Sequence, residues 1–122
     1  MKIAVVGSRD FANKRLMDAE LRKLLPIAQV ISGGARGADS LAEQWARHNG
    51  IDVKVFLPDH KAYRHPYHHR NRLIVEACDQ LVAFWNGHST GIKYTIGYAR
   101  RMGKPVSIVR AFVGGVVKCN FA

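Results

Sequence analysis

Short apolar runs alternate along this chain with stretches in which apolar residues recur at helical spacing. Ile3 to Val6 is continuously apolar, as suits a strand buried on both faces of a parallel sheet. Gln29 to Ile31, Val53 to Leu57, Leu81 to Trp85 and Val106 to Val109 repeat that pattern. Between the runs, Leu16, Leu21, Leu24 and Leu25 fit one face of a helix within Asn13 to Leu25, with Asn13 as N-cap and Pro26 as stop. Leu41, Ala42, Trp45 and Ala46 mark a second helix ended by Gly50, and Leu73, Ile74 and Ala77 a third with Pro66 in its first turn, where proline is tolerated. Ile92, Ile96 and Ala99 line a fourth, which stops at Gly103 before Pro105. Strict alternation of strand and helix with short connections predicts an α/β Rossmann-like doubly wound parallel sheet of about five strands with helices on both faces. Residues 1–110 make this single domain, and the tail 111–122, with Gly114-Gly115 and Lys118, reads as a final short strand or a frayed end.

In such a sheet a ligand lies outside the carboxyl ends of the strands, where the strand-to-helix loops converge. Three loops are therefore expected to share one crevice: Gly7 to Phe11, Gly33 to Asp39 and Asn86 to Gly91. The central one opens the run ISGGARGADSLAEQWA, in which Gly33, Gly34 and Gly37 permit backbone angles that side chains forbid, with Ala35 and Arg36 between them. At a strand–loop–helix junction the first helical N–H groups lack internal partners and the helix dipole adds partial positive charge, so phosphate is the expected guest.

Around that loop stand the candidate contact residues. Ser8 can donate to a phosphate oxygen and Arg9 can grip one bidentately, although Arg9 can equally be a solvated charge. Asp39 either complements the helix dipole or bonds ribose hydroxyls. Arg70 falls three and four residues before Leu73 and Ile74, hence on the sheet-facing side of the third helix, in turns that open on the crevice. A buried cation needs a partner, which is Asp59, Glu76 or a ligand's phosphate or ribose. Asn71 beside it can donate and accept. Trp85, at a strand's carboxyl end, is a candidate surface for a base, as are Phe11, Tyr63, Tyr67 and Tyr98. Gly87, Ser89, Thr90 and Gly91 supply the third loop. His60, His65, His68 and His69 cluster near Asp59 but complete no recognisable ligand set, so no metal and no required cofactor are expected.

Composition changes the picture in two ways. The formal charge of +10 over 122 residues calls for an anionic partner, either a nucleotide or a nucleic acid. No segment approaches the roughly 20 apolar residues of a membrane span, and the opening MKIAVVGSRD is too short an apolar run for a signal peptide. A cytoplasmic protein without membrane partners is expected, and Cys78 and Cys119, far apart, are not expected to pair.

GSRDF after the first strand, ISGGARGADSLAEQWA, HHRN, ACDQLVAFW and NGHSTGIKYTIGYARRMGKPV together resemble the SLOG superfamily, named for the Smf/DprA and LOG proteins, and specifically its small YspA-like branch. The likeness runs from Met1 to about Val109. It implies a Rossmann-like fold that binds nucleotides or nucleotide-derived small molecules, often as a homo-oligomer. The LOG-type phosphoribohydrolases of the superfamily use an arginine and a PGGxGTxxE loop whose glutamate supports N-glycosidic cleavage of nucleoside monophosphates. Arg70 matches the arginine, and Gly87 and Gly91 match glycines, but His88 replaces the second glycine, Ile92 the threonine, and Thr95 stands where the glutamate belongs. A hydroxyl cannot replace that carboxylate. The resemblance therefore implies nucleotide binding or sensing without strong catalysis. Two alternatives stay open. One is an N-glycosidase working through Arg70 with Asp39 or another carboxylate substituting. The other is single-stranded nucleic-acid binding through cations such as Lys14, Arg15, Arg22, Lys23, Arg100 and Arg101.

Overall fold

A computed structural model describes the backbone of residues 1–112 and 115–121 and the side chains of residues 1–110. Six strands form one sheet in the order β3-β2-β1-β4-β5-β6. They are β1 (Lys2–Gly7), β2 (Gln29–Ser32), β3 (Asp52–Val55), β4 (Gln80–Trp85), β5 (Val106–Phe112) and β6 (Gly115–Phe121). The first five are parallel, and β6 returns antiparallel along β5, with Val106 opposite Phe121. Ala111 and Phe112 thus extend β5 beyond Val109, and Gly115–Phe121 is a strand. The side chains of Lys118 and Cys119 and the backbone of Gly114 lie outside the described residues; Cys78 is a buried free thiol.

Alternation along each buried strand sorts the core into two layers. Ile3, Val5, Val30, Val82 and Phe84 face α1 (Lys14–Arg22) and α2 (Ala38–His48), meeting Met17, Leu21, Ala42 and Trp45. Ala4, Val6, Ile31, Leu81 and Ala83 face α3 (Pro66–Ala77) and α4 (Thr90–Arg101), meeting Ile74, Val75, Ile92 and Ile96. The expected doubly wound sheet is therefore present, with the antiparallel β6 added at one edge. Trp45 locks α2 to α1, its indole N–H donating to Asp18 Oδ1 at 2.8 Å.

Element ends differ from the sequence reading for local reasons. Asn13 caps α1 by accepting from the Leu16 N–H, but the helix closes at Arg22 rather than Leu25, because Lys23, Leu24 and Leu25 turn back onto Leu21 and Arg22. β3 stops at Val55, opposite Ser32, where its neighbour β2 itself ends; Phe56 and Leu57, expected within the strand, lie beyond it. Ser89 caps α4, its hydroxyl accepting from the Ile92 N–H at 3.4 Å, so Thr90 and Gly91 belong to the first helical turn and not to the preceding loop.

In the strand order, chain direction across the sheet reverses between β1 and β4. The loops that follow these two strands leave to opposite faces, so a crevice opens between them at their carboxyl ends.

Candidate functional site

A cleft of about 420 Å³ occupies that crevice. Its floor is the β1–α1 loop from Gly7 to Asp10, and one wall is Asn86, Ser89, Gly91 and Ile92 at the start of α4. Val6, Ala35, Asp39, Tyr67, Arg70, Asn71 and Thr95 complete it. Of the residues singled out above, Gly7, Ser8, Arg9, Ala35, Asp39, Arg70, Asn71, Ser89, Gly91 and Thr95 are thus brought together. Gly33, Gly34 and Arg36 border an adjoining hollow.

The β1–α1 loop is held by its backbone. Ser8 N–H donates to Phe84 O at 3.0 Å, and Ser8 O accepts from both Phe11 and Ala38. Gly7 is packed so closely that a Cβ there would strike Ala38 and the Phe84 carbonyl. The Ser8 side chain has no such tie: its hydroxyl is buried without a hydrogen-bond partner, on a residue only 8% exposed that lines the cleft. A buried donor left unpaired costs roughly 1–3 kcal/mol, and here a bound acceptor would satisfy it.

The central loop differs from expectation. Its N–H groups were expected to cradle phosphate, yet Gly33 and Ala35 both donate to Asp39 Oδ2, at 3.1 and 3.3 Å. Gly34 donates to Ser32 Oγ at 3.2 Å, while that hydroxyl donates to Glu43. The loop curls over the start of α2 until the carboxylate six residues on sits in the anion position. Ala38, the first residue of α2, donates its N–H to Ser8 O. Asp39, in the first turn of α2, is thus the loop's internal anion through Oδ2, while the residue still lines the cleft.

Arg70 closes this arrangement from above. Nη1 donates to Gly33 O and Nε to Asn71 Oδ1. The guanidinium fits only because Gly33 lacks a side chain: a Cβ there would lie 2.7 Å from Nη1 and 3.0 Å from Asp39 Oδ2. The carboxylates proposed as its structural partners are engaged elsewhere, Asp59 accepting from Lys61 and Ala62 and Glu76 from the Tyr98 hydroxyl at 2.6 Å. Burial depresses the Arg70 pKa, an effect the Asp39 charge opposes and nearby Arg9 reinforces. Two guanidiniums thus sit near one another at the cleft, and a bound anion would relieve them both.

Burial pushes Asp39 up to about 6, against the pull of the Ala35 N–H, the Arg70 charge and the Gly33 N–H. The folded state therefore binds this proton more tightly than the unfolded chain, whose value is near 3.8. The contribution to stability is full below about pH 4 and falls as pH rises to about 6, by about 2 to 3 kcal/mol at 1.36 kcal/mol per unit. Asp39→Asn can keep both N–H bonds on its one amide oxygen. Urea unfolding of the two proteins across pH 4 to 7 is expected to show this slope in the native chain and not in the variant.

Thr95 is 1% exposed and its hydroxyl donates to Gly91 O at 2.9 Å. The remaining candidates lie outside the lining of the cleft. Trp85 turns under α4, its indole N–H donating to Ser89 O at 3.2 Å and its ring 5.4 Å from the Arg110 guanidinium carbon. Gly87 makes a turn at φ +90, and exposed Thr90 starts α4. Gly37 at φ 76 supports the site from behind. Phe11 is core, 4.9 Å from the Phe84 ring centre. Among the described residues no three His, Cys, Asp or Glu side chains come together as metal ligands; instead His69 stacks on Tyr63 at 3.6 Å and His68 on Tyr94 at 4.2 Å. No helix among the described residues is long and apolar enough to cross a membrane.

Two more lining residues were within reach of the sequence, Tyr67 as a candidate surface for a base and Asn86 as the first residue of the third loop. Tyr67, 44% exposed, stands three residues before Arg70 and so on the same helical face. Asn86 accepts from the His88 and Ser89 N–H groups at 2.8 and 3.3 Å, a turn that Asn-Gly in this position signals.

No curated protein matches the chain. Among solved structures, DNA processing protein A (DprA) from Streptococcus pneumoniae superposes with a TM-score of 0.78 at 19% identity, covering 92% of this chain and 51% of that one. DprA from Helicobacter pylori, whose structure addresses its single-stranded DNA binding mode, gives 0.75 at 18% identity, covering 95% of this chain and 68% of that one. The chain thus spans about half the length of the first, and identities this low establish a shared fold. The family model that matches residues 1–63 spans β1 through β3, with the β1–α1 loop that floors the cleft and the central glycine loop, and by that match the chain belongs to the YspA, cpYpsA-related SLOG family.

Proposed function

We propose that the cleft binds a nucleotide or nucleotide derivative through its phosphate and does so without strong catalysis. The observation that carries this reading is the buried, unpartnered Ser8 hydroxyl, set between Arg9, Arg70 and the first turn of α4 in a cleft at the sheet's switch point. Phosphate would lie against Ser8, Arg9 and the α4 N-terminus, because the central loop already holds Asp39. No single contact suffices. Micromolar affinity needs about 8 kcal/mol, whereas a helix terminus contributes at most about 2 and a charge-assisted hydrogen bond about 1.5–3. Thr95, occupying the position of the hydrolase glutamate, donates to the α4 backbone and carries no charge, which supports binding rather than N-glycosidic cleavage.

Calorimetry against AMP, ADP-ribose, NAD and cyclic dinucleotides tests the reading, and uniform silence would overturn it. Ser8→Ala is expected to weaken the phosphate ligand about tenfold. Because the hydroxyl has no protein partner, the same substitution is expected to leave urea stability equal or slightly raised. A loss of stability with unchanged affinity would remove Ser8 from the site.

Single-stranded nucleic acid is the second reading. It is favoured by the charge of +10, by the exposed Tyr67 that lines the cleft, and by the fold shared with the DprA whose single-stranded DNA binding mode is described. Affinity that falls steeply with salt would support it; no retardation of an oligonucleotide at low salt would exclude it.

A further inference from the structure

The cleft does not end at Arg70. A second hollow of about 280 Å³ adjoins it, and Arg9, Ala35, Tyr67 and Arg70 line both. Leu57 and Pro58 form its far side, and Gly34 and Arg36 its base. Two side chains of this hollow stand open to solvent. Leu57 is 70% exposed, the most exposed large apolar side chain among the described residues, although burying a leucine is worth roughly 1.5–3 kcal/mol. It is nonetheless placed: Gly34, at φ +72, lies so close beneath it that a Cβ there would be 2.7 Å from Leu57 Cδ2. The second is Tyr67, 44% exposed, with its ring centre 5.6 Å from the Arg70 guanidinium carbon. Cation–π attraction at that range steadies the ring at the junction of the two compartments.

The first compartment holds the unpartnered Ser8 hydroxyl. The second pairs an apolar wall of Leu57, Pro58 and Tyr67 with the guanidinium of Arg36. Rings and guanidinium planes beside apolar surface are what an unpaired nucleobase stacks on. Between the compartments stand Arg9 and Arg70, two cations near one another. We propose that the second hollow is a nucleobase subsite, so that the whole site takes two nucleobases joined through phosphate. The linking phosphate lies at Arg9 and Arg70, and the second base lies against Tyr67 and Leu57. This rests on the nucleotide reading of the first cleft and extends it from a mononucleotide to a two-base ligand. Such a ligand comes either as a free dinucleotide or as part of a single strand.

The full chain would be titrated with AMP, with the linear dinucleotide pApA and with an octamer of deoxyadenylate. Stacking of one base is worth roughly five- to hundredfold in affinity, so pApA is expected to bind at least fivefold tighter than AMP. Leu57→Ser, at an exposed position where folding is little affected, is expected to bring pApA down to the affinity of AMP. Equal affinities for AMP and pApA, or a pApA advantage that Leu57→Ser leaves intact, would overturn the second subsite while the nucleotide reading stands. Silence from all three would instead bring down the nucleotide reading itself and this inference with it. Given the pApA advantage, an octamer no tighter than pApA identifies a free dinucleotide, and one tighter still with a steep salt dependence identifies a strand.

Discussion

Gly37→Ala is expected to lower the stability of the domain by about 4 kcal/mol and to loosen the cleft, although residue 37 does not line it. Gly37 sits at φ 76 and ψ −124, a region essentially reserved for glycine, and a side chain there carries roughly 1–3 kcal/mol of backbone strain. Space is the second penalty. A Cβ on this residue would run into the carbonyl oxygens of Ser8 and Arg9, and these are backbone atoms that no rotamer change can move aside. Forcing extra volume into packed structure costs about 1–3 kcal/mol more. The relief open to the protein is to push the β1–α1 loop away, which breaks the Ala38 N–H bond to Ser8 O and carries the Ser8 hydroxyl and Arg9 out of register with α4. Urea unfolding should report the stability loss, and calorimetry a nucleotide affinity at least tenfold weaker than native. A variant of native stability and native affinity would show that the two glycine loops do not brace each other.

How far such contacts can be read from sequence depends on whether they are periodic. Buried parallel strands announce themselves as continuous apolar runs, so the element order and both helical layers were legible. The same periodicity placed Arg70 on the sheet-facing side of α3, where it is 8% exposed. Alternation also held an unused signal about Trp85. Leu81, Ala83 and Trp85 share one face of β4, so the indole belongs under α4 and not in the crevice. What was not legible rests on tertiary placement. Nothing in the spacing of Gly33, Ala35 and Asp39 distinguishes a loop that waits for phosphate from one that curls onto its own carboxylate. Leu57 read as the end of a strand because it continues an apolar run. It became a wall of the second hollow because β2 ends at Ser32, so that the Phe56 N–H bond to Ser32 O is the last to that strand and Leu57 lies beyond it.

Arg70→Ala is expected to destabilise the fold by about 3–5 kcal/mol, the cost of removing one member of a buried charge arrangement. Three groups lose their partner at once. Gly33 O and Asn71 Oδ1 lose a charged donor, each bond worth about 1.5–3 kcal/mol in such a setting, and the buried Asp39 carboxylate loses its nearby cation. That last loss has a direction. Arg70 holds the Asp39 pKa down against burial, so in the variant it is expected to rise above about 6. The fall in stability still begins near pH 4 but then extends to higher pH and grows larger, so that more of it lies near neutrality. Arg70→Lys is not expected to rescue the arrangement, because an ammonium lacks the planar fork that reaches Gly33 and Asn71 together. Asp39→Asn in the Arg70→Ala background is the decisive comparison. If the loss comes from a stranded carboxylate, the double variant should recover part of it at pH 7 and little at pH 4, where Asp39 is already protonated. If recovery is the same at both pH values, the cost of Arg70→Ala lies in packing over Gly33, and Asp39 does not depend on Arg70 for its charge. Nucleotide affinity separates the two roles of the arginine. The double variant regains stability without the second guanidinium at the cleft, so its ligand should remain at least tenfold weaker than with the native chain.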